Sequence, residues 1–270
     1  MGLHFTTGVM ALLVSIHPPL PVFSNGFSDS GLGPWTPSYT WAPEGYAGGD
    51  MSSWWLNPGY APTSAQNTDP FSVKDGVLSI GIKPTPSDVK SSDVGGRPYV
   101  SGLLQTHLSF SQRYGYFEIT AKMSAAKGTM SAFWLLPASG AWPPEIDVVE
   151  VLANHPTLLA TSAHTGPDTL LQGFASVPDM TAAFHTYGMD WEEQTITWYF
   201  DGQQVFQIPT PADMHQPMYM LMDVSAGTVG SWEGQPPTGQ ETGAMQVKAV
   251  TVYQSNPYTY IAPRRPVAAR

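Results

Sequence analysis

From Val77 onward, apolar and polar residues alternate over short stretches. Val77-Leu78-Ser79-Ile80-Gly81-Ile82 sets the pattern, and a period of two marks a half-buried strand. Similar stretches near 100–107, 114–125, 129–137, 145–152 and 158–165 predict further strands. Gln194-Thr195-Ile196-Thr197-Trp198-Tyr199-Phe200 and Gln204-Val205-Phe206-Gln207-Ile208 flank Asp201-Gly202. Asp-Gly between alternating runs predicts a tight hairpin. Stretches 218–224 and 246–253 complete the set. No helical period lasts three turns, and 179–184 offers at most a short helix. Many short strands with turn signals between them predict an all-β protein built as a sandwich of two antiparallel sheets.

Residues 25–68 follow no period and are rich in Gly, Pro, Ser and aromatic residues. They predict a long segment wrapped over the sandwich and pinned by Phe27 and Trp35. Trp41, Tyr46, Trp54, Trp55 and Tyr60 are many aromatics for one loop, and large loops on a β scaffold shape binding clefts. Trp54 or Trp55 is the expected stacking platform of such a cleft; plugging the end of the sandwich is the plainer reading of the same rings.

One predicted strand carries unusual chemistry. Glu145-Ile146-Asp147-Val148-Val149-Glu150 places three carboxylates in a chain with only 12% charged residues. Side chains alternate faces along a strand, so Glu145 and Asp147 share one face while Ile146 and Val148 enter the core. Plain alternation would also send Glu150 into the core, where an unpaired carboxylate is costly. A β-bulge near Val148-Val149 adds one residue, resets the alternation and returns Glu150 to the face of Glu145.

Two carboxylates over one face suit glycoside hydrolysis, in which one attacks the anomeric carbon and the other protonates the leaving oxygen. Four to five residues of strand, at about 3.3 Å each, separate their Cα atoms by roughly 13 Å. Side chains leaning together close that toward the ~5–5.5 Å of a retaining enzyme.

Glu-x-Asp-x-x-Glu after Trp142-Pro143-Pro144 resembles the signature of glycoside hydrolase family 16, which holds the laminarinase and lichenase-type β-glucanases. Its longer, bulged form is similar to the laminarinase, agarase and carrageenase side of that family. Arg113-Tyr114-Gly115-Tyr116-Phe117-Glu118 and Ser131-Ala132-Phe133-Trp134-Leu135-Leu136-Pro137 resemble the strands before the signature. Ser162-Ala163-His164, the stretch 185–191 and the stretch 196–202 resemble those after it. The resemblance implies a β-jelly roll with a concave substrate cleft. It implies Glu145 as nucleophile, Asp147 as its assistant and Glu150 as acid/base, with no cofactor required. It also implies sugar contacts by Trp142, Trp134 and His164, and by Trp232 at the end of the Gly-rich stretch 227–232. Glu118 faces either the cleft or the outside. Asp223 stands where the family usually has Asn, a departure that puts its sugar contact in question. A structural calcium is compatible with the family, but no compact acidic loop identifies a site for it.

Composition narrows the partners. The 270-residue chain suffices for one large domain, expected over 25–270. A net charge of −10 with 11 Lys and Arg speaks against nucleic acid and anionic membranes, and makes sulfated galactans less suitable than neutral glycans. Cysteine is absent, so no disulfide or thiolate metal site exists. Residues 9–16 form an apolar run too short to span a bilayer. They predict an export leader over 1–24, hence a secreted or periplasmic protein, with a first strand of the fold as the alternative. The expected substrate is a β-1,3- or mixed β-1,3/1,4-glucan, cut internally by a monomer. A bacterial exopolysaccharide or galactan, transglycosylation, and a non-catalytic carbohydrate-binding jelly roll are the alternatives.

Overall fold

In the computed structural model, residues 19–28, 31–48, 51–236 and 238–259 are described. Their strands form two sheets packed face to face, one of 11 strands and one of 7. Every strand pairing is antiparallel except Ser53–Leu56 against Tyr99–Ser101. Among the described residues no helix is long and apolar enough to cross a membrane.

The larger sheet is the outer layer. In Val77–Pro84 the alternation predicted from sequence buries Leu78, Ile80 and Ile82. Its neighbour Gly243–Tyr253 buries Met245 and Val247, then Val250 and Val252. The switch from odd to even positions coincides with a register shift between Val247 and Ala249 against Gly115–Lys122. The Asp-Gly hairpin forms as expected: Asp201 and Gly202 have φ of 46° and 76°, and Thr195–Phe200 pairs with Gln203–Pro209. Phe27 and Trp35 are buried in the main core, as the wrapping reading requires.

The smaller sheet carries the acids. Its order is Thr169–Ser176, Leu158–Thr165, Glu145–Leu152, Thr129–Pro137, Met218–Ala226, Leu103–Gln105 and Thr36–Pro37. The central strands 129–137, 145–152 and 158–165 have the bounds the alternation predicts. Phe133, Leu135, Ile146, Val149, Val151, Met220 and Met222 point between the sheets. Ala132, Trp134, Glu145 and Glu150 occupy the other face and line a groove.

The bulge falls where the carboxylates demand it. Phe133 pairs with Val149, but the next residue, Trp134, pairs with Asp147, so Val148 is the extra residue. Against Leu158–Thr165 the same shift appears between Asp147 and Glu150. Val148 and Val149 both enter the core, 2% and 0% exposed. Unbulged, the strand would bury the Glu150 charge there, costing roughly several kcal/mol. The bulge disturbs the ladder, and the carbonyl of Asp147 accepts a hydrogen bond from Nε1 of buried Trp198, 2.8 Å away, on the opposite sheet. The strand that bears the acids is thereby tied across the core.

Other segments differ from the sequence reading. Residues 179–184 form a turn, not a helix. The Asp179 carboxylate accepts from the backbone N–H and hydroxyl of Thr181, a local bond that competes with helix formation. Stretch 100–107 divides into Tyr99–Ser101 and Leu103–Gln105 around Gly102, where a Cβ would meet the Phe71 ring at 2.4 Å. The apolar run 9–16 lies outside the described residues. Pro21–Gly26, at the end of the expected leader, is a strand paired with Gly243–Tyr253, and Phe23 packs against Trp35 and Phe110.

Candidate active site

Glu145 opens its strand just after Trp142-Pro143-Pro144, and the neighbouring strand brings His164 opposite it. Trp142 donates from Nε1 to Glu145 Oε2 at 3.0 Å. His164 Nε2 lies 3.6 Å from Glu145 Oε1 and 3.5 Å from Asp147 Oδ2. Asp147, 3% exposed, accepts a short hydrogen bond from the Ser162 hydroxyl. The same hydroxyl is 3.5 Å from Glu150 Oε2. Ser162 thus bridges the middle acid to the last one.

Burial raises the proton affinity of all three acids. Glu145 is pushed well above the ordinary carboxylate range by desolvation and then by the charge of Asp147, while the Trp142 N–H opposes the shift. Glu150 is pushed up by desolvation and then by the charges of Asp147, Glu145, Asp223 and Glu233. Asp147 is raised by desolvation and held back by Ser162 and His164. Packed acids this close cannot all ionise together, and their protons leave as a set. The donors decide who keeps the charge. Glu145 has the Trp142 indole N–H beside it, which opposes its rise and favours the carboxylate. Glu150 is crowded by other acids, Asp147 and Glu145 first among them, which favours the acid. Glycosidic cleavage requires one deprotonated and one protonated carboxyl on a single face, and the Trp142 donor distinguishes the surroundings of Glu145 from the acid-crowded surroundings of Glu150.

Two adjoining hollows flank the acids. One, of about 160 Å³, is lined by Glu145, Asp147, Glu150, Asp223 and Glu233, with Trp55, Ala132 and Trp134 among its walls. The other, of about 500 Å³, includes Tyr39, Trp41, Tyr46, His107, Trp142 and Tyr219. Glu145 and Trp134 border both, so the two form one groove. A larger hollow of about 720 Å³ beside Arg97 and Tyr99 contains none of the three acids.

Of the residues singled out in the sequence, Trp142, Trp134 and His164 join the acids. Trp134 is 9% exposed and is fixed by its Nε1 hydrogen bond to Asp223 Oδ1 at 2.9 Å. Trp55 borders the acid hollow, but its Nε1 is spent on the Val224 carbonyl at 3.0 Å and it is 6% exposed, so it is wall, not platform. The Trp54 platform is overturned. Adjacent strand residues face opposite ways, and Trp54 packs with Leu56, Val94 and Val100 in a separate cluster. A Cβ on Gly95 would meet its ring at 2.6 Å. Trp232 borders neither hollow; its neighbour Glu233 reaches the acids instead. Glu118 lies on the outer sheet and accepts from the Tyr258 hydroxyl at 3.0 Å, outside the groove. Sequence reasoning missed Tyr39, His107, Tyr219 and Glu233. Only the aromatic richness of the N-terminal segment hinted at the first.

Glu145, Asp147 and His164 also offer ligand atoms within 4.8 Å of one another, a spacing that suits a cation. These are the atoms that hydrolysis would use, and a cation there would occupy the lone pair of the attacking oxygen.

Asp223 is a fourth buried acid. It sits in one row with Ala132 and Glu150 across three strands. Its Oδ1 accepts from Trp134, while Oδ2 is buried without a hydrogen-bond partner. Burial, then the charges of Glu233 and Asp147, push its carboxyl up to about 8. It therefore carries a proton at neutral pH. The unfolded chain releases that proton near its ordinary 3.8, so the native state holds the extra proton from there to about 8. The Asp223 contribution to stability declines as pH rises through this window. Asp223→Asn is expected to remove this part of the decline. Urea midpoints of both proteins across that range provide the check, and parallel curves would refute the assignment.

With this geometry in view, comparison with known proteins is decisive. The family model for glycosyl hydrolases family 16 matches residues 63–251. The chain belongs to that family. It is 45% identical over 233 residues to the endo-1,3-1,4-beta-glycanase EglC of Rhizobium meliloti, covering 84% of this chain and 49% of that protein. It is 41% identical over 230 residues to the endo-1,3-1,4-beta-glycanase ExsH of the same organism, covering 82% and 48%. The chain spans about half the length of these two relatives. Among solved structures it resembles SCLam, a non-specific endo-beta-1,3(4)-glucanase from the family, with a TM-score of 0.75 at 23% identity, covering 88% of this chain and 92% of that one. The laminarinase catalytic domain of Thermotoga maritima superposes with a TM-score of 0.72 at 22% identity, covering 89% and 100%. At such identity these structures establish the fold alone, the β-jelly roll of family 16.

Proposed function

We propose that this family 16 chain is a retaining endo-glycosidase acting on a β-1,3- or mixed β-1,3/1,4-glucan. The observation that carries the reading is the Val148 bulge, which returns Glu150 to the groove beside Glu145 and Asp147. In this mechanism Glu145 attacks the anomeric carbon as Glu150 gives its proton to the departing oxygen, and the glycosidic bond breaks. A covalent glycosyl-enzyme remains. Glu150, now a carboxylate, takes a proton from water, the hydroxide adds to the anomeric carbon, and the bond to Glu145 breaks. Asp147, held by Ser162, and His164 keep the Glu145 carboxyl oriented. The reaction draws on these carboxyls without a cofactor. An open groove receives the middle of a polymer, which favours internal cleavage, and the likeness to EglC and ExsH, both endo-1,3-1,4-beta-glycanases, supports a glycan with 1,3- and 1,4-β linkages. We further place the chain outside the cytoplasm as a monomer.

The test is a reducing-sugar assay on lichenan, laminarin, galactans and bacterial exopolysaccharides, with proton NMR of the first product. Rapid release of medium-sized oligosaccharides from a β-glucan, in the β configuration, is the expected result. An α first product, or turnover confined to galactan or exopolysaccharide, would replace this reading. Binding without turnover on every polymer would make the chain a carbohydrate-binding jelly roll. Transfer to an added acceptor in place of water would make it a transglycosylase.

A further inference from the structure

Residues 39–46 raise an aromatic wall beside the acids. Trp41 lies on Tyr39 with ring centroids 4.9 Å apart and planes inclined by 17°. Tyr46 meets Trp41 edge-on at 4.8 Å and 74°. Tyr39 is buried and packs edge-on against Trp55, so this wall is anchored in the body of the protein. One face of the Trp41 indole is covered by Tyr39, yet the residue is 64% exposed. Trp142, 62% exposed, borders the same 500 Å³ hollow. Scattered exposed aromatics need no explanation. Two bare indoles on one groove, one of them backed by a stack of rings, do need one.

The rest of the hollow defines its occupant. His107 and Tyr219 pack together there with centroids 4.5 Å apart and planes inclined by 30°. The His107 ring is held by Thr40 Oγ1 at 3.0 Å and the Ala138 carbonyl at 3.1 Å. Among the described residues no Lys or Arg lines the hollow, and Glu145 is the one carboxylate there. A flat indole face, a phenol, and walls without a lysine, an arginine or a second acid suit a neutral molecule with an apolar face and a hydroxyl edge. A pyranose ring has that shape. The hollow is continuous with the acid site through Glu145 and Trp134, so a sugar there belongs to the chain being cut.

We propose that Trp41, backed by Tyr39 and Tyr46, is a stacking platform for an uncharged pyranose of the bound polysaccharide, one subsite away from the cleavage point. This rests on the proposed function. The platform lies ahead of residues 63–251, the stretch the family model covers.

Trp41→Ala and Trp41→Phe are to be compared with the parent enzyme on lichenan and on oligosaccharides of increasing length. Trp41→Ala is expected to raise KM on the polymer roughly tenfold, the effect of losing one aromatic anchor. The shortest cleavable oligosaccharide, which does not reach the platform, should be cut as before, and Trp41→Phe should recover most of the loss. Unchanged KM on the polymer, or an equal loss at every length, overturns the proposal. Calorimetric binding of the same oligosaccharides to each variant gives a readout without turnover. If the parent binds them and Trp41→Ala does not, while neither cleaves anything, the platform stands and the hydrolase reading falls. If cleavage is normal and Trp41→Ala binds long oligosaccharides as tightly as the parent, only the platform falls.

Discussion

Exchange of Glu145 for glutamine is expected to lower turnover on a β-glucan by on the order of 10⁵-fold, the scale of losing a covalent nucleophile. An amide oxygen cannot form the glycosyl-enzyme, yet it still accepts from Trp142 Nε1 as the carboxylate does at 3.0 Å. Binding should therefore survive. Stability should hold or rise, because burial and the charge of Asp147 already disfavour the ionised form of Glu145, and a neutral isostere removes that strain. Initial rates, calorimetric oligosaccharide binding and a thermal melt read these three effects. Residual activity within a hundredfold of the parent would show that another group attacks.

The second large effect concerns Glu150. Glu150→Ala is expected to slow cleavage of a natural glucan by roughly 10²–10⁴-fold, the usual worth of a placed acid/base. The loss should shrink for a dinitrophenyl glycoside, whose leaving group departs without a proton. Its second step would still lack a base, and azide, which attacks without one, should restore turnover and yield a β-glycosyl azide. Because Glu150 is surrounded by Asp147, Glu145, Asp223 and Glu233, its removal should also shift the alkaline limb of the pH profile. A loss equal for both leaving groups and indifferent to azide would deny Glu150 the acid/base role.

The active strand illustrates how far local reasoning reaches. Ile146, Val148 and Val149 must be covered while Glu145, Asp147 and Glu150 must not, and only an inserted residue reconciles those demands over six positions. The hairpin at Asp201-Gly202 is as local, since both residues adopt positive φ. The aromatic segment is different. Trp54 and Trp55 are neighbours on a strand, and alternation alone leaves open which of them looks into the groove. Both faces of Ser53–Leu56 are packed, so neither ring became the platform. Trp41 did, because the turn around Tyr39 and Ala42 sets it on the same hollow as Tyr219, a residue distant in sequence.

What the chain fixes unaided, then, is the strand pattern, the irregular step at Val148 and the presence of three acids on one surface, since period and the cost of burying charge act between near neighbours. Folding alone decides which of those acids holds a proton, why Asp223 keeps one as well, and where the exposed indoles stand. Those properties arise from groups far apart in sequence, Trp134, Trp142, Ser162, His164 and Glu233, whose fields and hydrogen bonds act on a carboxyl only once the sheets have brought them together.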